Sequence, residues 1–493
     1  MRTNVMTSII SVLSVFAFGA SAHAQSAGAI TSDPEQAAIP HGVAMISKIV
    51  CSSVFISGMD AQQSLVQNAL PMVTEGRGER FDIPPQVVGL DIDEESRRVT
   101  ASLFGIERTA GFYDDQGCVI HPAGFNGVYF EPLKSPSTLP PADAQAWPMG
   151  DAASDDPLPD TIDDERLLSA VDAAFGDGSA HTAAFVVVHD GRIVAERYGA
   201  GADKNTPLAS WSMGKSLTAT LLAVLMQQGE DLELDAPAPI SAWGGEGDLR
   251  GAITLRNLLN MSSGLRMAGQ SSPQDLWAHP TPDHGFIYME AIDVFDFAVN
   301  RGLQFEPGTV GRYRNSDPLA IGYIIKQTVE ARGQNYLTFP QTDLFDKIGV
   351  RNMVLEPDAF GNFVMTGFEY GSARDWARLG QLYLQDGVWE GQRILPEGWA
   401  DFVSTPAPAW EDGMYGGQFW LKVSEWRGDK APADAYSMNG GGVQNVIIIP
   451  SLNAVIVRMG HYKGARSEDG KSNPASAALS EAVNLVVEAL QPN

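Results

Sequence analysis

Basic residues are scarce in this sequence: 33 lysines and arginines face 60 aspartates and glutamates, for a formal net charge of −27. A chain this acidic repels phosphate backbones and anionic bilayers, so nucleic acid and membrane surfaces are excluded as expected partners. The acid is spread along the chain and reads as a solvated surface, not a tail. Histidine is also sparse. Eight residues are scattered with no HExxH pattern and no Cys/His cluster, so no metal site is expected. Cysteine is limited to Cys51 and Cys118. In an exported chain such a pair points to one disulfide, the alternative being two buried free thiols.

Long apolar runs are missing except near the start. Arg2, the short run Ile9 to Phe18, and Ala22-His23-Ala24 form the three parts of a secretory leader, too short to span a bilayer. The expectation is cleavage after Ala24, no membrane span in the mature chain, and a periplasmic or secreted protein.

Three regions are expected after the leader. Residues 25–130 contain two alternating runs, Val87–Asp93 and Arg98–Phe104, that read as a β-hairpin in a small α+β region. Residues 131–162 are rich in Pro, Asp, Ala and Ser, and read as a linker or an extended strap over the next domain. Residues 163–493 begin with a helix near Asp163–Phe175 and a strand pair turning at Asp190-Gly191. A long apolar helix follows from Met213 to about Gln228, with Ser212 as its cap. Further helices are expected at Thr254–Asn260, Asp317–Arg332, Ala373–Gln385 and Pro474–Leu490, the second with Asp317 as cap ahead of Pro318. The runs VQNVIIIP and NAVIVRMG read as consecutive strands. Strands at both ends with helices between them imply an α+β fold, one antiparallel sheet flanked by helices with a helical lobe inserted.

The chemistry concentrates in three stretches. In Ser212-Met213-Gly214-Lys215, a serine at a helix start has a lysine one turn away on the same face. A serine hydroxyl needs a base within hydrogen-bond reach, and a lysine buried on an apolar helix is driven toward the neutral form that can serve. The helix N-terminus also favours a developing oxyanion. About a hundred residues on, Tyr313-Arg314-Asn315 follows Pro307-Gly308-Thr309. A tyrosine near a lysine ammonium can shift toward phenolate and relay a proton, and the amide can position lysine and substrate. Finally Asn439-Gly440-Gly441-Gly442-Val443-Gln444 precedes a strand. Such glycines allow close approach of substrate, and a strand N–H can complete an oxyanion hole.

Ser-x-x-Lys, Tyr-x-Asn after Pro-Gly-Thr, and a glycine-rich segment leading into a late strand resemble the serine β-lactamase and penicillin-binding family. The likeness is nearer its class C-like branch of esterases, D,D-peptidases and 6-aminohexanoate-dimer hydrolases. It covers about residues 165–490, with supporting stretches at Leu232–Pro237, Ile253–Leu259, Ser262–Leu265 and Ser372–Gly380. The resemblance implies a β-lactamase/transpeptidase-like fold and a covalent acyl-Ser212 intermediate. It implies Lys215 as base and Tyr313 as its partner and as acid to the leaving group. Asn315 would position Lys215 and the substrate. The oxyanion hole would use the N–H of Ser212 and that of Gln444, with Val443 as fallback, beside Gly441 and Gly442. No metal or organic cofactor is implied. Where β-lactamases carry a lysine in the third motif, this chain offers Gly441, or Asn439 if the register slips. Ester or small-amide hydrolysis is therefore expected ahead of β-lactam or cell-wall peptide turnover. The other readings are an α/β-hydrolase elbow at Ser210–Gly214 completed by His461, and a non-catalytic binding or sensing protein on the same fold.

Overall fold

The computed structural model describes residues 39–74, 83–152, 157–199, 201–267, 283–465 and 472–491. The leader expected at 1–24 lies outside these residues. Ile39–Phe55 contains one lysine and otherwise uncharged side chains, and forms helix α1, buried along most of its length. It packs on a four-stranded antiparallel sheet of order β1-β2-β3-β4. The alternating runs form its first hairpin, β1 (Gly89–Asp93) with β2 (Arg98–Leu103), followed by β3 (Ile106–Phe112) and β4 (Cys118–Ile120). Alternation is legible because β2 turns every second residue into the core beneath α1. A Cys51–Cys118 disulfide, with Cα atoms 6.0 Å apart, ties α1 to β4.

The proline-rich segment lies as a strap gripped by three arginines. Arg351 donates to the carbonyls of Pro140 and Met149, both at 2.8 Å. Arg378 donates to Pro148 at 2.7 Å and Gly150 at 2.8 Å, and with Arg374 pairs with Asp151. These guanidinium groups satisfy carbonyls that an extended chain leaves without sheet partners.

Beyond the strap, Asp163 caps α2 (Asp164–Phe175) by accepting from the Arg166 N–H. Strands β5 (Thr182–His189) and β6 (Arg192–Tyr198) form a hairpin at one edge of a five-stranded antiparallel sheet, order β12-β13-β14-β5-β6. Between β6 and the sheet's remaining strands in sequence come β7 (Leu208–Ala209), α3 (Gly214–Gln227) and α4 (Ser316–Ala331). Next are β8 (Val354–Leu355), β9 (Glu369–Gly371), α5 (Ala373–Leu384), and the small hairpin β10 (Val388–Trp389) and β11 (Gln392–Arg393). Strands β12 (Tyr436–Gly440), β13 (Gln444–Ile449) and β14 (Ala454–Gly460) complete the sheet, and α6 (Pro474–Leu490) closes the described chain order. Phe185, Val187, Ile447, Ile449 and Ile456 face α2 and α6, while Val186, Val188, Val446, Val455 and Val457 face the core around α3 and α5. A strand covered on both faces carries no polar alternation, which explains the continuous apolar runs.

This is the expected α+β architecture with an antiparallel sheet closed by both ends of the domain. Two helix starts differ from expectation. Helix α4 begins at Ser316, with Asn315 in the cap position, because the Asp317 carboxylate is turned inward to Ser263 (2.7 Å) and Ser316 (2.9 Å). Helix α3 begins after Ser212, whose hydroxyl serves Lys215 instead of capping the backbone. Strand β12 had no signal in the sequence reading; its residues Tyr436-Ser437-Met438-Asn439-Gly440 are short, mixed and glycine-ended.

Candidate active site

Ser212 sits in a tight turn, Trp211–Met213, at the mouth of α3. The residue before it, Trp211, has φ of 50°, a left-handed conformation that L-residues avoid. Such strain persists only where surroundings fix it. Here the indole is wedged among Tyr288, Phe368 and Tyr462, with ring centroids 5.4–6.4 Å away. Ser210 is pinned from below, its N–H donating to the Glu369 carbonyl at 2.8 Å and its hydroxyl to the Glu369 carboxylate at 2.7 Å.

Lys215 is 1 % exposed, and its Nζ lies 3.0 Å from Ser212 Oγ and 3.0 Å from the Thr366 carbonyl oxygen. No carboxylate among the described residues makes an ion pair with it. Burial pulls its pKa down to about 7, with Glu369 opposing from nearby. The lysine is thus held near the point where it accepts a proton at neutral pH.

Tyr313 faces the same catalytic turn, and its ring centroid lies 4.9 Å from Lys215 Nζ. Burial pushes the hydroxyl above its ordinary range, the opposite of the shift toward phenolate that a neighbouring ammonium alone would give. The phenol stays protonated. Its ring joins Tyr415 at 5.9 Å and Trp420 at 5.3 Å in an aromatic wall. Trp420 in turn exchanges backbone hydrogen bonds of 2.8 and 2.9 Å with Ser437 on β12, linking the second stretch to the third.

Asn315 lies beside this cluster but does not reach Lys215. Its amide donates to the His284 carbonyl at 2.9 Å, while the lysine's position is set by Thr366. The Thr366 carbonyl also accepts from the Tyr288 hydroxyl at 2.7 Å, which fixes its direction. The His284 ring, 5.9 Å from that of Tyr313, is pushed down to about 3 by burial and by Lys215, so it is neutral.

The glycine-rich stretch is the turn between β12 and β13. Gly440 passes so close to the strained turn that a Cβ there would come within 2.0 Å of the Ser210 carbonyl oxygen; only glycine fits. Gly441 follows beside the Trp211 indole. Gln444 lies one strand further in. It pairs with Gly440 across the hairpin, and its side chain is spent on Gly460, accepting from the N–H at 2.8 Å and donating to the carbonyl at 2.7 Å. Gly440 and Gly441, not Gln444, are thus the residues that pass the Ser210–Trp211 backbone. Val443 takes φ of 64°, an outlier for a β-branched residue. The buried Arg458 holds it there, donating to Gly442 O at 2.9 Å and Val443 O at 3.1 Å. Asn439 accepts from Asn445 at 3.3 Å, and the stretch contains no lysine.

The elbow reading needs a buried parallel strand before the serine, and β7 is instead two residues long in a small antiparallel sheet. His461 meets Asn68 at 3.4 Å through its ring nitrogen. Sequence reasoning missed Thr366, Tyr288, His284, Glu369 and Arg458. Glu369 left one trace, as the only charged residue between Gly361 and Ser372.

The antiparallel sheet flanked by helices, with a serine and a buried lysine at the mouth of α3, can be set beside known proteins. Residues 167–479 match the family described as Beta-lactamase. The chain belongs to the beta-lactamase family. Within it, the chain is 25 % identical over 309 residues to the 6-aminohexanoate-dimer hydrolase of Paenarthrobacter ureafaciens, covering 57 % of this chain and 73 % of that one. A solved Bacillus anthracis structure, provisionally called a 6-aminohexanoate-dimer hydrolase, superposes with a TM-score of 0.52 at 22 % identity, over 73 % of this chain and 89 % of the other. A Bacteroides dorei structure, provisionally called a beta-lactamase, gives 0.51 at 20 % identity over 65 % and 98 %. The homologues of this beta-lactamase-family chain are hydrolases, and its fold is theirs.

Proposed function

We propose that this beta-lactamase-family protein is an exported serine hydrolase that cleaves a small ester or amide through an acyl-Ser212 intermediate. The observation that carries the reading is the 3.0 Å contact between Ser212 Oγ and a buried Lys215 with no ion-pair partner among the described residues. Neutral Lys215 takes the hydroxyl proton as Ser212 Oγ bonds to the substrate carbonyl carbon. The resulting oxyanion is stabilised by the Ser212 N–H at the start of α3 and by an N–H from the Gly440–Gly441 turn. Collapse breaks the carbonyl–leaving-group bond, and the protonated Tyr313 hydroxyl supplies the proton the leaving group needs, replenished from the Lys215 ammonium. Water then repeats the attack on the acyl-enzyme with Lys215 again as base, releasing the acid and free Ser212. No step calls on a metal or organic cofactor.

The aromatic wall of Tyr313, Tyr415 and Trp420 and the absence of a cation in the third stretch favour uncharged small substrates over carboxylate-bearing β-lactams. Export is supported by the leader-like residues 1–24 and by the Cys51–Cys118 disulfide. We assign the hydrolase domain to 163–493, with 25–130 as a small amino-terminal α+β region and 131–162 as the linker, which lies as a strap in the described residues.

The test is hydrolysis of p-nitrophenyl acetate and butyrate, nitrocefin and 6-aminohexanoate dimer by wild type and Ser212→Ala. Ester or amide turnover that disappears in the variant supports the reading. Rapid nitrocefin turnover would move the protein to lactam chemistry. Silence on every substrate, with no fluorophosphonate labelling of Ser212, would leave a binding protein.

A further inference from the structure

Four ionisable groups lie buried in a row from the amino-terminal layer to the nucleophile. Lys48, on α1, forms an ion pair with Glu356 just after β8, and both side chains are almost wholly excluded from solvent. Glu356 accepts two further hydrogen bonds, from Ser52 Oγ at 2.8 Å and the Cys118 N–H at 2.6 Å. Both of these donors belong to the amino-terminal layer, and Cys118 is the disulfide partner of Cys51 on α1. Across the β8–β9 ladder Leu355 pairs with Glu369, and the Glu356 N–H donates to Phe368 O at 2.9 Å, so the two carboxylates stem from neighbouring rungs. Lys48 Nζ also rests 4.2 Å from the centroid of Phe368, the ring that supports Trp211. Glu369 then reaches the catalytic turn. It accepts from Ser210, and its carboxylate fills the space beside Gly214, where a Cβ would come 1.9 Å from Oε2. Lys215 is the next residue.

We infer that Glu369 is a positioning residue whose charge biases that of Lys215, and that Lys48 of the amino-terminal layer, through the Glu356–Glu369 carboxylate pair, favours the ionised form of Glu369. Lys48 on α1 then tunes the catalytic centre from the amino-terminal layer, which does more than cover it. This rests on the reading of Lys215 as the base. The geometry supplies the link: one carboxylate is shared between the strained turn and the lysine's helix, and one cation from a different layer sits among the carboxylates.

Burial pushes Glu369 up to about 8, while Ser210 and Lys215 pull against it and Glu356 adds to the rise. Its charge is therefore adjustable near neutral pH. The titratable groups facing this row are Tyr288, Tyr313, Tyr336 and Tyr370, all pushed upward by burial, and His284, pushed downward. All five stay neutral in the resting site, so only the four buried ions trade charge there. The sign follows. Ionised Glu369 raises the Lys215 pKa and delays the appearance of its neutral form as pH rises. Losing the Glu369 charge lowers the lysine pKa and moves the acid limb of kcat/KM to lower pH. Losing Lys48 lets Glu369 take up a proton more readily, with the same outcome.

The experiment is the pH profile of kcat/KM on p-nitrophenyl butyrate for the full chain and for Glu369→Gln, Lys48→Met and the double variant. Glu369→Gln is expected to move the acid limb down by a fraction of a pH unit. Lys48→Met is expected to move it in the same direction, and the double variant no further than Glu369→Gln alone. Lys48→Arg, which keeps the charge, should restore the wild-type limb. A purely structural role would lower the rate without moving the limb. If Lys48→Met does not fold, Lys48→Gln makes the same forecast, since it leaves Glu356 a donor but no charge. An unmoved limb in Glu369→Gln, or additive shifts in the double variant, would overturn the inference while wild-type turnover still depends on Ser212. Turnover that survives in Ser212→Ala would instead overturn the reading beneath it.

Discussion

Two regions of this molecule each bury a lysine, and they put it to opposite uses. In the amino-terminal layer Lys48 faces Glu356, whose remaining valence is filled by Ser52 and the Cys118 N–H. At the mouth of α3, Lys215 faces a hydroxyl and a carbonyl. Burial depresses both pKa values. At Lys48 a bonded carboxylate works against that depression, and the group becomes a strut. At Lys215 the nearest carboxylate is turned toward Ser210, nothing restores the charge fully, and the group becomes a base. Partner chemistry, not depth, separates the two.

The comparison breaks most visibly in activity. Ser212→Ala should lower kcat by at least about 10³-fold, and Lys215→Met by about 10²–10⁴-fold. Both should show unchanged near-ultraviolet circular dichroism in the same preparations. Near-normal ester turnover by Lys215→Met would make both lysines structural.

The next effect is on stability and falls on the other lysine. Lys48→Met strands the Glu356 carboxylate and should cost about 3–5 kcal/mol in urea unfolding, whereas replacing both partners, Lys48→Met with Glu356→Leu, should recover most of that loss. A Lys48→Met protein as stable as wild type would mean the pair is not ionised. Replacing both cysteines with alanine should cost about 2–4 kcal/mol by the same measurement, because the bridge fixes α1 to β4 beside the pair.

The smallest effect has the most specific sign. A lysine whose folded pKa is about 7, against an ordinary 10.5, binds fewer protons folded than unfolded between those limits. Its burial penalty is thus full below pH 7 and fades as pH rises toward 10.5. Lys215→Met should raise Tm by a few degrees at pH 6 and by less at pH 9. A Tm loss at pH 6 would show that Lys215, like Lys48, is a strut.

The contrast also explains what the amino-acid order displayed. Ser212 and Lys215 were legible because one helical turn joins them and because the residues after them are apolar all round. The inner strands β13 and β14 were legible because both their faces are covered. Lys48 was a quieter signal, one lysine in seventeen otherwise uncharged helical residues. Glu369 was invisible as a partner, since Ser210 and Gly214 meet it only after β9 has paired with β7. The second and third stretches were found, but their contacts were not. Asn315 turns to a backbone carbonyl supplied by His284, and the glycine run proved to be a hairpin turn because β12, too short and mixed to show a period, lies before it.

Gly214 gives the family pattern a meaning its notation omits. Written as Ser-x-x-Lys, the motif treats its inner positions as free, yet the second of them here is the floor on which a carboxylate from β9 rests. A saturation library at that codon should return glycine almost alone among active clones. A search for relatives that share this charge arrangement should therefore look for Ser-x-Gly-Lys together with an isolated glutamate just ahead of the helix corresponding to α5. Relatives with a bulkier residue at that place would need another way of holding their lysine.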